Sequence, residues 1–336
     1  MMEQAVFFYD AGRRSYLDRA YPQPVRERLE RLFDVYPQPV NETQLDALAP
    51  ALRSVRVMFT SWWLPELTQE QIRRYFPSLQ VVFYAAGSVK YFAEPYLRLG
   101  IRVVSGWAAN GVPVAEYAAA QIVLAGKGFF QNPRRMQTDY EQARAYSDAC
   151  TGNYHAKVGI LGAGAVGRRV IRLLQAYELE IWVYDPYLSD ADAQKLQVQK
   201  HSLEEIFSEC AVISNHVAQL PETRGMIAYA LLHRMQPYAT LLNTGRGSQI
   251  VEADLIRAMQ EDKTRTAVLD VTDPEPPLPD SPLRTQENIF LTTHIAGSMG
   301  GEIGRIGEYI AQEAERYCAG EPLRYEITLE KLKNMA

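Results

Sequence analysis

Two α/β domains, each built on a parallel sheet covered by helices, are what this 336-residue sequence predicts. Three observations carry the prediction. Short apolar runs rich in Val, Ile and Phe recur through the first hundred residues, with amphipathic segments between them. A second series of such runs begins near residue 156 and again alternates with helical segments, which means βαβ units in a doubly wound sheet. A long apolar-rich stretch of helical period separates the two series.

The first series comprises "AVFFYD" (residues 5–10), "FDVYP" (33–37), "VRVMFTS" (55–61), "LQVVFYAAG" (79–87) and "IRVVSG" (101–106). Strands buried on both faces read as near-continuous apolar runs, so these five predict a parallel sheet. From Val112 to Phe130 the spacing of Val114, Ala118, Ile122 and Ala125 predicts a linking or dimer helix. The second series comprises "AKVGILGAGAVG" (156–167), "LEIWVYD" (179–185), "CAVISNH" (210–216), "ATLLNTG" (239–245), "TAVLDV" (266–271) and "NIFLTTH" (288–294). Residues 165–176 and 251–260 are two of the helices between them. The proline-rich "DPEPPLPDSPL" (273–283) replaces a crossover helix with a surface loop. After His294 the glycine-rich "AGSMGGEIG" suits a hinge, and an amphipathic helix follows near residues 302–318.

Composition narrows the function classes. The net charge is −5, and no clustered Lys/Arg tract is present to track a phosphate backbone, which argues against nucleic acid as a partner. Cys150, Cys210 and Cys318 lie far apart without CxxC or Cys/His spacing. They predict no disulfide framework and no metal site, but three small buried hydrophobes in a reducing compartment. The N-terminus lacks a basic start, its apolar run breaks at Asp10, and no window reaches the length of a membrane span. A cytoplasmic protein is expected.

Gly162, Gly164 and Gly167 stand in GxGxxG spacing, a weak signal alone because glycines recur in ordinary turns. Here the triplet follows the strand "KVGIL" and opens a helix, and Asp185 closes the next strand. In that context it predicts a dinucleotide site. The first glycine permits a tight turn, the second lets backbone approach a pyrophosphate, and the third lets helix and strand pack while the helix N-terminus faces the phosphates. Asp185 would accept hydrogen bonds from ribose hydroxyls and repel a 2′-phosphate, and no arginine follows it, so NAD is expected rather than NADP.

In an open parallel sheet, ligands bind beyond the carboxyl ends of the strands, where Asp185, Arg246, Asp270 and His294 fall. Taken singly, each has a plain structural use as a solvated charge, a helix cap or a packing residue. With Glu275 they form a set of complementary chemistry. Reduction of a ketone by a nicotinamide needs a cofactor cradle, a fixed cation for a carboxylate and a proton donor. Arg246, between Gly245 and Gly247, suits the second need because a planar guanidinium can hold a carboxylate while another N–H polarises a carbonyl. The two glycines would let the backbone approach the cofactor. His294 suits the third need, with Glu275 orienting it and favouring its charged form.

These residues resemble the D-isomer-specific 2-hydroxyacid dehydrogenases. The resemblance is specific over residues 112–297, where "VPVAEYAAAQIV", "VGILGAGAVGRRV", "VYDP", "LPETRGMI", "LLNTGRG", "LDVTDPEP" and "THIAG" occur in the family's order. It is looser over residues 1–111, where "FYAAGSVK" looks like the family's carboxylate-binding loop. The resemblance implies an NAD-dependent interconversion of a small D-2-hydroxy acid and its 2-oxo acid. In it Arg246 clamps substrate and His294, paired with Glu275, is the acid/base. It places Asp270 near the nicotinamide, Thr244 among the cofactor contacts, and Ala165 and Val166 at the pyrophosphate, with Gly87 and Ser88 as backbone donors to the substrate carboxylate. It further implies a Rossmann NAD-binding domain (109–297) inserted into a discontinuous flavodoxin-like substrate domain (1–108 plus 298–336), and a homodimer through the NAD-binding domain.

Three positions depart from the family pattern. Ala218 stands where proline is usual, Thr293 precedes His294 where proline is usual, and "AAGSVK" lacks the Gly-x-Gly-x-Asp form. A formate dehydrogenase would carry glutamine at Glu275. Trp62, Trp63 and Trp107 lie near strand ends and suit either a bulky pocket wall or ordinary packing. The rival from another class is an NAD(H)-sensing, corepressor-like interaction protein on the same fold, which detectable turnover of a 2-oxo acid would separate from an enzyme.

Overall fold

The computed structural model describes residues 2–334. It divides into two compact units, residues up to 111 together with those from 298 onward, and residues 112–297.

Among the described residues, the first unit holds one sheet built from β1 (Gln4–Tyr9), β2 (Asp34–Val35), β3 (Val40–Asn41), β4 (Val57–Thr60), β5 (Val81–Tyr84) and β6 (Arg102–Ser105). These strands are all parallel. The second unit contributes β7 (Lys157–Leu161), β8 (Glu180–Tyr184), β9 (Gln199–Lys200), β10 (Val212–Asn215), β11 (Thr240–Asn243), β12 (Thr266–Leu269) and β13 (Ile289–Leu291). The short β14 (Glu326–Ile327) returns to the first unit and pairs antiparallel with β6. The first sheet is ordered β14-β6-β5-β4-β1-β2, with β3 also on β1. The second is ordered β13-β12-β11-β10-β7-β8-β9. The first is the flavodoxin-like doubly wound order with a capping strand, and the second is the Rossmann order extended by β13.

Alternation explains why the runs are apolar throughout. In the first unit Ala5, Phe7, Val57, Phe59, Val81 and Phe83 pack on one face, while Val6, Phe8, Met58, Val82 and Tyr84 pack on the other. In the second, Val158, Ile160, Val212, Leu242 and Val268 oppose Leu161, Ile213, Leu241 and Ala267. A strand with period 2 and helices on both sides has no solvent face to keep polar. The helix Glu302–Cys318 buries Ile303, Ile306, Ile310, Ala311 and Ala314, the i, i+3, i+4 stripe its sequence shows.

Boundaries differ from the sequence reading in two places. The helix foreseen from Val112 to Phe130 runs Trp107–Gly126, and Gly128 beyond it has φ +67°, a backbone that ends a helix cheaply only with glycine. The two-residue strands β3, β9 and β14 are too short to show a period of 2. A third difference concerns the cysteines. Cys210 is buried as foreseen, but Cys150 is half-buried and Cys318 is exposed. Only the first is a core residue, packed with Ile206, Phe207 and Ile213; all three sit at helix ends.

Candidate active site

The glycine turn sits at the carboxyl end of β7. Gly162 has φ +88°, and a Cβ there would stand 2.9 Å from the carbonyl oxygen of His216. Only glycine fits that turn. Gly167 lies in the first helical turn, where a Cβ would come within 2.0 Å of the Gly162 carbonyl oxygen, so the third glycine sets the helix against the turn. Gly164 is different, because a Cβ there would meet nothing within 4 Å. The open side of Gly164 lies at the start of the helix Ala165–Leu174, which has no side-chain cap. Exposed Gly164 and Ala165, with half-buried Val166, therefore leave first-turn N–H groups facing outward. An uncapped helix start beside an unfilled glycine is the cradle a pyrophosphate needs, and the residues present fit the group.

Asp185 follows β8. One carboxylate oxygen accepts the Ala163 N–H at 2.7 Å and the other accepts the Tyr187 N–H at 2.8 Å. The carboxylate thus ties the glycine turn to the end of β8, and each oxygen keeps a lone pair for a ribose hydroxyl. Arg168 is the cation nearest this turn in sequence. It donates to the Ala163 carbonyl at 2.8 Å and to Asp192 at 2.9 Å, so its charge is already paired.

Three buried amides hold the Arg246 loop. The Asn215 side-chain amide donates to Asn243 Oδ1 at 3.0 Å and to Gln249 Oε1 at 2.6 Å, and Asn243 in turn donates to the Arg246 carbonyl at 3.0 Å. Gln249 Oε1 also accepts the Arg246 N–H at 3.1 Å, while its amide donates to the carbonyls of Val217 and Ala218. Buried amides with every group engaged lock a loop, since breaking one bond strands a polar group out of water. The flanking glycines serve this packing. A Cβ on Gly245 would press on Gln249 and Asn215, and one on Gly247 would overlap the Thr272 backbone at 2.0 Å. Their close approach is thus to the protein's own backbone and amides, where the sequence reading had them admit a cofactor. The triad itself escaped that reading, because only the fold brings Asn215 and Gln249 together.

The half-buried Arg246 guanidinium donates to the Gly245 carbonyl at 2.8 Å. Burial depresses its pKa from the ordinary arginine value, and the charge of Glu275 opposes that fall, so the two side chains are close enough to interact. Glu275 Oε1 lies 2.8 Å from His294 Nδ1. Both side chains are half exposed, and no group among the described residues bonds His294 Nε2. The fold therefore brings Arg246, Glu275 and His294 to one sheet end.

His294 itself has φ +58°, an uncommon conformation for a non-glycine residue. Asp270 is what holds it there. That carboxylate is buried, accepting the Thr292 hydroxyl at 2.6 Å and the N–H groups of Ile295 and Ala296 at 2.8 and 2.9 Å. The Asp270 carbonyl also accepts the His294 N–H at 3.1 Å. Asp270 is thus turned onto the histidine's own loop, with its oxygens taken up by protein donors. Thr244 Oγ1 lies 3.3 Å from His216 Nδ1, and Ser214 Oγ lies 2.9 Å from His216 Nε2. His216 went unremarked in the sequence, where it reads only as the end of a strand. Burial drives its pKa down to about 4, which keeps the ring neutral beside the glycine turn.

In the first unit, Gly87 and Ser88 follow β5. Ser105 Oγ donates to the Gly87 carbonyl at 2.6 Å and to the Ala86 carbonyl at 3.2 Å, which fixes the turn. The Gly87 and Ser88 N–H groups have no protein acceptor among the described residues. No cluster of metal-ligating side chains occurs among those residues, and no helix among them is long and apolar enough to cross a membrane.

Residues 121–296 match the family described as D-isomer specific 2-hydroxyacid dehydrogenase, NAD binding domain. The chain is 29% identical over 235 residues to a D-3-phosphoglycerate dehydrogenase of Archaeoglobus fulgidus, covering 70% of this chain and 44% of that protein. It is 28% identical over 248 residues to a glyoxylate reductase of Korarchaeum cryptofilum, covering 73% and 75%. The chain thus spans less than half the length of the phosphoglycerate dehydrogenases it matches. Among solved structures, apo D-mandelate dehydrogenase of Rhodotorula graminis superposes with a TM-score of 0.81 over 97% of both chains at 20% identity.

Proposed function

Because the chain belongs to the D-isomer-specific 2-hydroxyacid dehydrogenase family and carries its NAD-binding domain, we propose that it interconverts a D-2-hydroxy acid and its 2-oxo acid with NAD. The observation that carries this reading is the 2.8 Å bond from His294 to Glu275 with Arg246 within electrostatic reach of the same carboxylate. The dinucleotide would be held by the turn Gly162–Gly167 and the amides of Ala165 and Val166, with Asp185 on the ribose, Thr244 at the nicotinamide side and Asp270 fixing the loop beside it. When bound, it supplies or accepts the hydride at the substrate's C2.

The chain's own residues do the rest. Arg246 binds the carboxylate and polarises the carbonyl oxygen. Glu275 accepts from His294 Nδ1, which leaves Nε2 to deliver a proton to that oxygen as negative charge develops on it. In the reverse direction neutral Nε2 takes the hydroxyl proton. One 2-oxo acid, one NADH and one proton thus become one 2-hydroxy acid and NAD⁺. Gly87 and Ser88 offer their free N–H groups to a carboxylate at their own sheet end.

We assign the protein to the cytoplasm, where free thiols persist, and expect a homodimer. The second unit exposes Leu124, Phe129, Met136 and Tyr140 around a cavity of about 370 Å³, an apolar face that a second copy would cover. The deciding experiment follows NADH oxidation with glyoxylate, hydroxypyruvate, pyruvate, phenylpyruvate and branched 2-oxo acids. Turnover of any of them supports the enzyme. No turnover, together with a reproducible macromolecular partner, would replace it with the NAD(H) sensor.

A further inference from the structure

Strand order in the first unit puts β4 between β1 and β5, so the loops after these three strands are neighbours at one sheet end. Trp63, in the loop after β4, is 51% exposed and has φ +67°. A left-handed backbone is costly for a large side chain, and an exposed indole gives up its hydrophobic burial, so this residue carries two penalties that packing does not explain. Its two sequence companions behave otherwise. Trp62 is half-buried against both cores of the unit, and Trp107 packs edge-on against Tyr325.

The neighbouring loops brace the exposed indole. Arg13, after β1, sets its guanidinium 4.0 Å from the ring centroid, and no carboxylate among the described residues pairs with it. The hydroxyl of Tyr91, after β5, lies 3.5 Å from the Tyr84 hydroxyl and is near enough to the backbone of Leu64 and Trp63 to feel their N–H dipoles. Tyr91 belongs to the same loop as Gly87 and Ser88. The loop that carries the indole therefore lies beside the segment whose free N–H groups suit a carboxylate.

We infer that Trp63, braced by Arg13 and Tyr91, determines substrate specificity at this sheet end, and that the 2-oxo acid taken by this chain carries an aromatic ring on C3. The inference rests on the proposed 2-oxo acid reduction and deepens it. A hydrogen or methyl at that position would leave the indole wet, whereas an aryl ring buries apolar surface on it and gains from edge or offset stacking. A distal carboxylate or phosphate would meet the negative charge of Glu66, which acts on the same cluster, while Arg13 lies against the ring face.

The test compares kcat/KM for phenylpyruvate, pyruvate, glyoxylate and 2-oxoglutarate with NADH, in the full chain and in Trp63→Ala and Trp63→Phe. Phenylpyruvate should be preferred in the wild type. Trp63→Ala should cut the phenylpyruvate-to-glyoxylate ratio about 10- to 100-fold, mainly through KM, and Trp63→Phe should restore most of it. A wild type that prefers glyoxylate, pyruvate or 2-oxoglutarate, or a ratio unmoved in Trp63→Ala, overturns the inference and leaves the reduction standing. No turnover of any 2-oxo acid overturns both, and the wild-type ranking decides even if a variant fails to fold.

Discussion

At Arg246 a loop locked by three amides presents a guanidinium that burial makes costly to keep charged, so its charge is there to be used. Losing a charge-assisted bidentate contact should cost on the order of 2–4 kcal/mol of transition-state stabilisation. Arg246→Ala should therefore lower kcat/KM steeply while NADH affinity changes far less, and Arg246→Lys should recover only part. Near-normal kcat/KM in the alanine variant would make the arginine structural. In the proposed reaction His294 gives up a proton in reduction and takes one in oxidation. Reduction should then fall as pH rises, and oxidation should fall as pH drops. His294→Ala should abolish both limbs with most of the turnover, whereas limbs that persist in it would assign the proton to another group. His216 gives a stability prediction of its own. Its folded pKa of about 4 lies below the ordinary histidine value, so between the two the unfolded chain binds the proton. Its contribution is complete above the ordinary value and is lost as pH falls toward 4, by at most about 3 kcal/mol. Melting temperatures across that window should fall less steeply in His216→Gln than in the wild type, and parallel curves would refute the assignment.

Among the elements, the end of β8 and the turn after β7 act as one device through Asp185, which bonds the Ala163 and Tyr187 N–H groups. A carboxylate there repels a 2′-phosphate, so the protein should favour NADH over NADPH in kcat/KM. Asp185→Ala should narrow that gap and also weaken NADH binding, because the turn loses its tether. A wild type that prefers NADPH would contradict the placement. Similarly, β12 and the loop after β13 are joined by Asp270, so the histidine's position depends on a residue from a neighbouring strand.

Each unit is a sheet with apolar residues on both faces, parallel apart from β14, and the residues proposed for the chemistry fall at or beyond the carboxyl ends of the strands. The second unit also leaves Leu124, Phe129, Met136 and Tyr140 exposed around one cavity. Sedimentation should find a dimer, and Phe129→Glu with Met136→Glu should shift it to monomer. A wild type that sediments as a monomer at micromolar concentration would leave the face without its proposed cover.

Much of this protein is legible in the linear sequence, because the signals are local. Near-continuous apolar runs mean strands buried on both sides, GxGxxG after a strand means a turn whose first and third glycines exclude a Cβ, and a strand-end Asp, Arg and His fall at the carboxyl edge wherever the strands are parallel. The pairing of Glu275 with His294 was expected from the complementary chemistry of the two side chains and again from the family resemblance, and nothing in their spacing supplies it. The tertiary structure alone decided what lies across from what. The Asn215, Asn243 and Gln249 triad, the inward turn of Asp270, His216 between Ser214 and Thr244, and Arg13 over Trp63 all join residues from different strands or loops. Such pairings have no period in the sequence, since they are set by strand order and by the packing that holds neighbouring loops within reach.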